Sequence, residues 1–246
     1  MAVRQRTMSI TVFPLDEPGG LLVPADVDPA VDPIAGSAVD RIVVLGDWLA
    51  IGWGVATYDL SLGGCFARGH ALRSGHSVEW SAIPVGGFRL AGVPRTADEN
   101  RDAVAGANIA VLALGAVDTM GFTSVRAWRR HLDAAIDALL AVMDDDAILV
   151  FAAVPPLDNL GTVSRFVARE LGIQVHMLNA ATAAVAARHP RCVMVGFPPG
   201  LADTPWVAES KDLSFSRIYT VWAAEMVSAV ERLRLSFGAL PGRTGR

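Results

Sequence analysis

Ile42-Val43-Val44-Leu45-Gly46-Asp47-Trp48-Leu49 is the stretch whose reading decides the fold. Four consecutive apolar residues, three of them β-branched, have no polar face, and a glycine and an aspartate close them, as expected of a parallel strand buried on both sides. Outward from it, Ser77–Ile83, Ile109–Leu114, Ala147–Val154 and Cys192–Phe197 have the same form. Helical periodicity fills the gaps, over Tyr58–Arg73, Ala97–Ala105, Ser124–Met143, Thr162–Leu171, Val175–Arg188 and Ser216–Leu235. Strand alternating with helix predicts a flavodoxin-like, three-layer α/β/α domain around a five-stranded parallel sheet. In such a sheet ligands sit beyond the carboxyl ends of the strands, so the residues just after each strand carry the functional information.

The rest of the chain sets bounds. Its 246 residues suit one α/β domain, placed at 41–237. Residues 1–40 repeat Pro, Asp and Gly and are expected to be an irregular arm or linker, and 238–246 a flexible tail. The 52% of hydrophobic residues is broken throughout by charge, Gly or Pro, so no membrane span is expected. Arg4 and Arg6 precede the short run Met8–Leu15, but Asp16, Glu17 and Pro18 follow without a cleavage site, which points to a cytoplasmic protein. Net charge is −4 and the arginines are scattered in sequence, which argues against nucleic acid. Lys211 is the only lysine, a bias expected of a GC-rich bacterial genome.

Chemistry-bearing residues are sparse. Cys65 and Cys192 are far apart and in no ligand motif, and read as buried thiols. His131, Asp133 and Asp137 do not share a helical face, and His70 and His76 flank a helix end where imidazoles meet free carbonyls. Asp144-Asp145-Asp146 reads as a solvated turn. Neither a metal nor a cofactor is expected. Gly52-Trp53-Gly54 lacks the third glycine of a dinucleotide fingerprint, for which Thr57 stands.

Gly46-Asp47-Trp48-Leu49 after the first strand, Gly86-Gly87 after the second, and Gly115-Ala116-Val117-Asp118 after the third together resemble the SGNH, or GDSL-type, hydrolase family. Pro155-Pro156-Leu157 and Asn179-Ala180-Ala181 extend the resemblance to about Val230. It implies a nucleophilic serine at the position of Trp48, an oxyanion-binding asparagine at Val117, a backbone donor at Gly87, and an Asp/His block near Asp212 and Leu213, Ser214 or Phe215. An indole offers only an N–H donor, valine offers none, and no histidine follows His189. The expectation is therefore a pseudoenzyme that binds a small molecule or a protein partner, with Asp47, Trp48, Gly87, Asp118 and Asp212 as binding candidates. Asp47 and Asp118 also read as loop-capping carboxylates, and Trp48 as a plug for the vacated pocket. Two alternatives stay open. One is a divergent esterase or acyltransferase with a relocated site using Ser214 and Asp212; the other is a nucleotide-binding oxidoreductase subunit.

Overall fold

A computed structural model describes residues 19–22, 39–157, 164–201 and 214–238. The strands are β1 (Gly19–Leu22), β2 (Val39–Gly46), β3 (Ser77–Pro84), β4 (Ile109–Ala113), β5 (Ile148–Ala152) and β6 (Cys192–Val195). The helices are α1 (Leu62–Ser74), α2 (Val93–Glu99), α3 (Arg101–Ala105), α4 (Ala116–Met120), α5 (Val125–Leu140), α6 (Arg165–Ala186) and α7 (Ser214–Gly238). The sheet order is β1-β3-β2-β4-β5-β6, in which β3, β2, β4, β5 and β6 run parallel. This is the five-stranded parallel sheet expected from the apolar runs.

Alternation along β2 explains why helices cover both faces. Ile42 and Val44 point into a core shared with α1 and α7, while Val43 and Leu45 point into a second core shared with α2, α5 and α6. Trp222 and Tyr219 of α7 are fully buried in the first core, and Leu132, Ile136 and Leu139 of α5 in the second. Ser61, Ser124 and Ser164 cap α1, α5 and α6, their hydroxyls accepting from the N–H three residues on.

Three expectations need correction. Within the segment read as an irregular arm, Gly19–Leu22 adds an antiparallel edge strand to β3, pairing Gly19 with Ser81 and Leu22 with Val78. The glycines and prolines around it hid a pairing that depends on the exposed edge of β3 rather than on local propensity. The two helices expected at Thr162–Leu171 and Val175–Arg188 are one, because Gly172 sits inside α6 and Leu171 and Val175 on either side of it are both anchored in a small cluster with Ala116, Val154 and Leu157. The imidazoles of His70 and His76 meet a carboxylate rather than helix carbonyls. His70 Nε2 lies 2.6 Å, and His76 Nδ1 3.4 Å, from Asp40 Oδ2, with Arg234 Nη1 also at 3.4 Å. Asp40 thereby ties β2 to α1 and to the distal half of α7.

Burial alone would raise the Asp40 carboxyl pKa, but the His70 hydrogen bond and the charges of Arg234 and the two histidines prevail and bring it down to about 2. A folded-state value below the ordinary one means that the ionised carboxylate stabilises the fold above about pH 4, and that this contribution disappears as pH falls from 4 to 2. Asp40→Asn is expected to cost roughly 1–3 kcal/mol at neutral pH. In thermal melts from pH 7 to 2 the gap between variant and wild type should close over that same window.

Candidate functional site

The chain order places the end of β2 at the point where successive crossovers leave in opposite directions, β3 to one side and β4 to the other. In open α/β sheets this switch point is where ligands bind. Three loops meet here: Asp47–Val55 after β2, Val85–Gly92 after β3 and Leu114–Thr123 after β4.

Two buried carboxylates hold these loops in register. Asp47, with no exposed surface, extends the sheet through its N–H to Ala113 O at 3.0 Å. Its Oδ1 accepts from Leu49 N–H at 3.2 Å and its Oδ2 from Ala116 N–H at 3.3 Å, which joins the loop after β2 to the start of α4. Asp118 accepts from Leu90 N–H at 3.0 Å and from Thr123 Oγ1 at 2.9 Å, with the Arg89 guanidinium 3.6 Å away, which joins the loop after β3 to α4. Burial pushes the Asp47 carboxyl up to about 6, against the N–H donors of Leu49, Ala116 and Gly115, and the negative charge of Asp118 adds to the rise. Both carboxylates are thus engaged in holding backbone.

Trp48 is half-buried. The turn after β2 closes with Trp53 N–H donating to Trp48 O at 2.9 Å, and sets the two indoles 6.1 Å apart, tilted by 55°. Trp53 in turn packs on Phe215 with ring centroids 5.2 Å apart, and Phe215 lies 6.4 Å from Tyr219. The Tyr219 hydroxyl donates to Trp53 O at 2.7 Å, and burial raises its pKa far above the phenolic range. One aromatic row therefore joins the residue after Gly46-Asp47 to the first turn of α7. Gly54 makes the row possible: it has φ +84°, and a Cβ there would come within 2.6 Å of the Phe215 ring.

Gly87 (φ +69°) and Phe88 (φ +53°) turn the chain sharply after β3. A Cβ at Gly87 would meet nothing within 4 Å, so its backbone faces open space. Among the described residues no acceptor takes the N–H of Trp48 or of Gly87. Val117, half-buried on α4, follows Ala116 in the same loop cluster. Asp212 and Leu213 lie outside the described residues, as does the side chain of Ser214. Of the expected site residues, the fold thus gathers Asp47, Trp48, Gly87, Val117 and Asp118 at one end of the sheet and links Trp48 to Phe215 through Trp53. Sequence reasoning missed Trp53 as the bridge and Arg89 as the partner of Asp118. The signal for the first was the pair of flanking glycines, Gly52 and Gly54, which both adopt positive φ. For the second no local signal existed. Among the described residues no group of three or more His, Cys, Asp or Glu could hold a metal.

No protein-family model and no curated protein sequence matches this chain. Solved structures do. A lipase from a goat rumen metagenome superposes with a TM-score of 0.61 at 10% identity, over 77% of this chain and 97% of that one. A member of the lipolytic protein G-D-S-L family from Veillonella parvula gives 0.54 at 16%, over 78% and 99%. The C-terminal catalytic domain of peptidoglycan O-acetyltransferase A from Streptococcus pneumoniae gives 0.51 at 12%, over 81% and 96%. The chain has the SGNH, or GDSL-type, hydrolase fold.

Two outcomes follow from this geometry. Because the folded-state pKa of Asp47 is raised, its protonated form favours the fold, and that contribution is lost as pH rises from about 4 to about 6. Asp47→Asn should flatten this part of the stability profile, and should also lower stability by about 1–3 kcal/mol, since its amide NH₂ would replace one of two acceptors facing backbone N–H groups. Chemical denaturation at pH 4, 6 and 8 reads both effects. Gly54→Ala should cost more than the ordinary ~1 kcal/mol of a strained left-handed residue, because the new methyl displaces the Phe215 ring.

Proposed function

We propose that this protein is a non-catalytic member of the hydrolase fold that binds a small ligand at the switch-point end of its sheet. The observation that carries the reading is the aromatic row from Trp48 through Trp53 to Phe215. It runs between the positions where the resemblance implies a nucleophile and a base, and none of its rings can supply a nucleophilic oxygen or accept a proton at neutral pH. The third implied group, an oxyanion-binding amide, is Val117. Losing a triad's nucleophile or base alone removes most of its rate advantage, and here both are replaced together with a donor.

Binding, rather than structural filling alone, is supported by what remains accessible. Trp48 is not fully buried, the space above Gly87 is open, and two backbone N–H groups have no acceptor among the described residues. A ligand with a flat apolar part for the indole and an acceptor oxygen for those N–H groups matches this surface. The carboxylates of Asp47 and Asp118 contribute indirectly by fixing the three loops.

Purified protein should hydrolyse short p-nitrophenyl esters no faster than a denatured control and should not react with fluorophosphonate probes. Stoichiometric labelling of a serine would overturn the reading in favour of a relocated esterase or acyltransferase site. Trp48→Ala should cost less than the ~3–5 kcal/mol that truncating a sealed tryptophan does, since the residue is not fully buried. Trp48→Ser should remain inactive, because it restores neither base nor oxyanion donor.

A further inference from the structure

At one end of the sheet β6 presents a bare edge. Cys192-Val193-Met194-Val195 carries no charge, proline or bulge, the devices that ordinarily keep an edge strand from pairing with another chain. Val193 and Met194 are half-buried. Backbone groups alternate in direction along the strand. Leu149 N–H donates to Arg191 O and Ala153 N–H to Val195 O, each at 2.9 Å, so the odd-numbered residues of β6 face β5. Met194 therefore turns both its N–H and its C=O away from the sheet. The C=O of Cys192 and the N–H of Gly196 point the same way, and no described residue pairs with any of the four groups.

A groove of about 550 Å³ runs along this edge between β6 and α7. Val193, Phe197 and Leu233 are among its apolar walls, and its charged residues are Glu225 and Arg232. Both are exposed, and neither has an ion-pair partner among the described residues, where the ion pairs of α7 are made by Glu231 and Arg234 instead. Glu225 and Arg232 stand two helical turns apart, about 10 Å, on one face of α7, with the buried Ala229 between them.

We infer that β6 and the adjoining face of α7 form the contact by which two copies of this chain associate, edge to edge, about a twofold axis through Met194. In antiparallel register the two Met194 residues exchange N–H and C=O, and Gly196 N–H of each copy meets Cys192 O of the other. These four hydrogen bonds use only groups that already face outward. An axis perpendicular to the sheet keeps the α7 helices of both copies on one face and runs them in opposite directions. Glu225 of each copy then falls opposite Arg232 of the other, so two charges left unpaired in one chain are both paired in the dimer. Charge complementarity thus selects the occupant: any extended strand can use the backbone groups, but a second copy necessarily brings the reversed pair of charges. The two grooves join across the axis, and their apolar walls are withdrawn from water. The inference is independent of what the switch-point site binds, because β4 and β5 separate β6 from β2.

Sedimentation equilibrium of the full chain, from about 1 to about 100 µM, tests it, and a monomer–dimer equilibrium is expected within that range. Met194→Pro removes an outward N–H without touching the ladder to β5, a change that edge strands accept. It should abolish dimerisation while the circular dichroism spectrum is kept. Glu225→Arg alone sets Arg against Arg at two places, and Arg232→Glu alone sets Glu against Glu; each should weaken association at least about tenfold. An equimolar mixture of these two variants should dimerise again, since each supplies the charges that the other lacks. Both substitutions fall on exposed residues, so this comparison stands even where Met194→Pro fails to fold. A wild-type chain that stays monomeric throughout overturns the inference, as does a dimer that Met194→Pro or the charge reversals leave intact, or a mixture that does not recover what the single variants lose. A monomeric chain that binds an extended apolar peptide, with Met194→Pro abolishing the binding, would assign the edge to a foreign strand instead.

Discussion

Burial of β2 on both faces is the constraint from which the rest follows. Ile42, Val43, Val44 and Leu45 present apolar side chains alternately to the two sides of the sheet, and neither side can be left to water. Helices must therefore cover both, and with β3 on one side of β2 and β4 on the other the carboxyl end of β2 is the switch point of the sheet. Asp47 stands buried at that switch point because it is the first residue beyond the strand. Its buried carboxylate accepts the N–H groups that the strand ends leave without partners, and so converts a topological necessity into a defined loop cluster.

What the loop cluster presents differs chemically from what its architecture could support. A hydrolase on this fold needs a nucleophile, a base and an oxyanion site converging on one carbonyl carbon. Here indole and phenyl rings whose packing depends on Gly54 join the residue after Asp47 to the first turn of α7, and the N–H groups of Trp48 and Gly87 have no acceptor among the described residues. Aromatic packing holds the loop after β2 to the first turn of α7, a contact that also anchors through the Tyr219 hydroxyl. The ends of the sheet thus have separate roles: an aromatic cluster at the carboxyl end, and the Asp40, His70, His76 and Arg234 network fastening α1 and α7 at the other.

From residues alone, the apolar runs Ile42–Leu45, Ile109–Leu114 and Ala147–Val154 determined the parallel sheet, because a strand buried on both faces has no polar alternation to offer any other arrangement. They also located the candidate site, since Asp47, Trp48, Gly87, Val117 and Asp118 are defined by their place after a strand, and the absence of a histidine beyond His189 is a fact of composition. Tertiary structure alone decided the pairing of Gly19–Leu22 with β3, the continuity of α6 through Gly172, the use of Asp40 by two histidines, and the bridge from Trp48 to Phe215. Each joins groups far apart along the chain or overrides a local preference with packing. Sequence periodicity reports which face of an element is buried; it carries no information about which distant residue is buried against it.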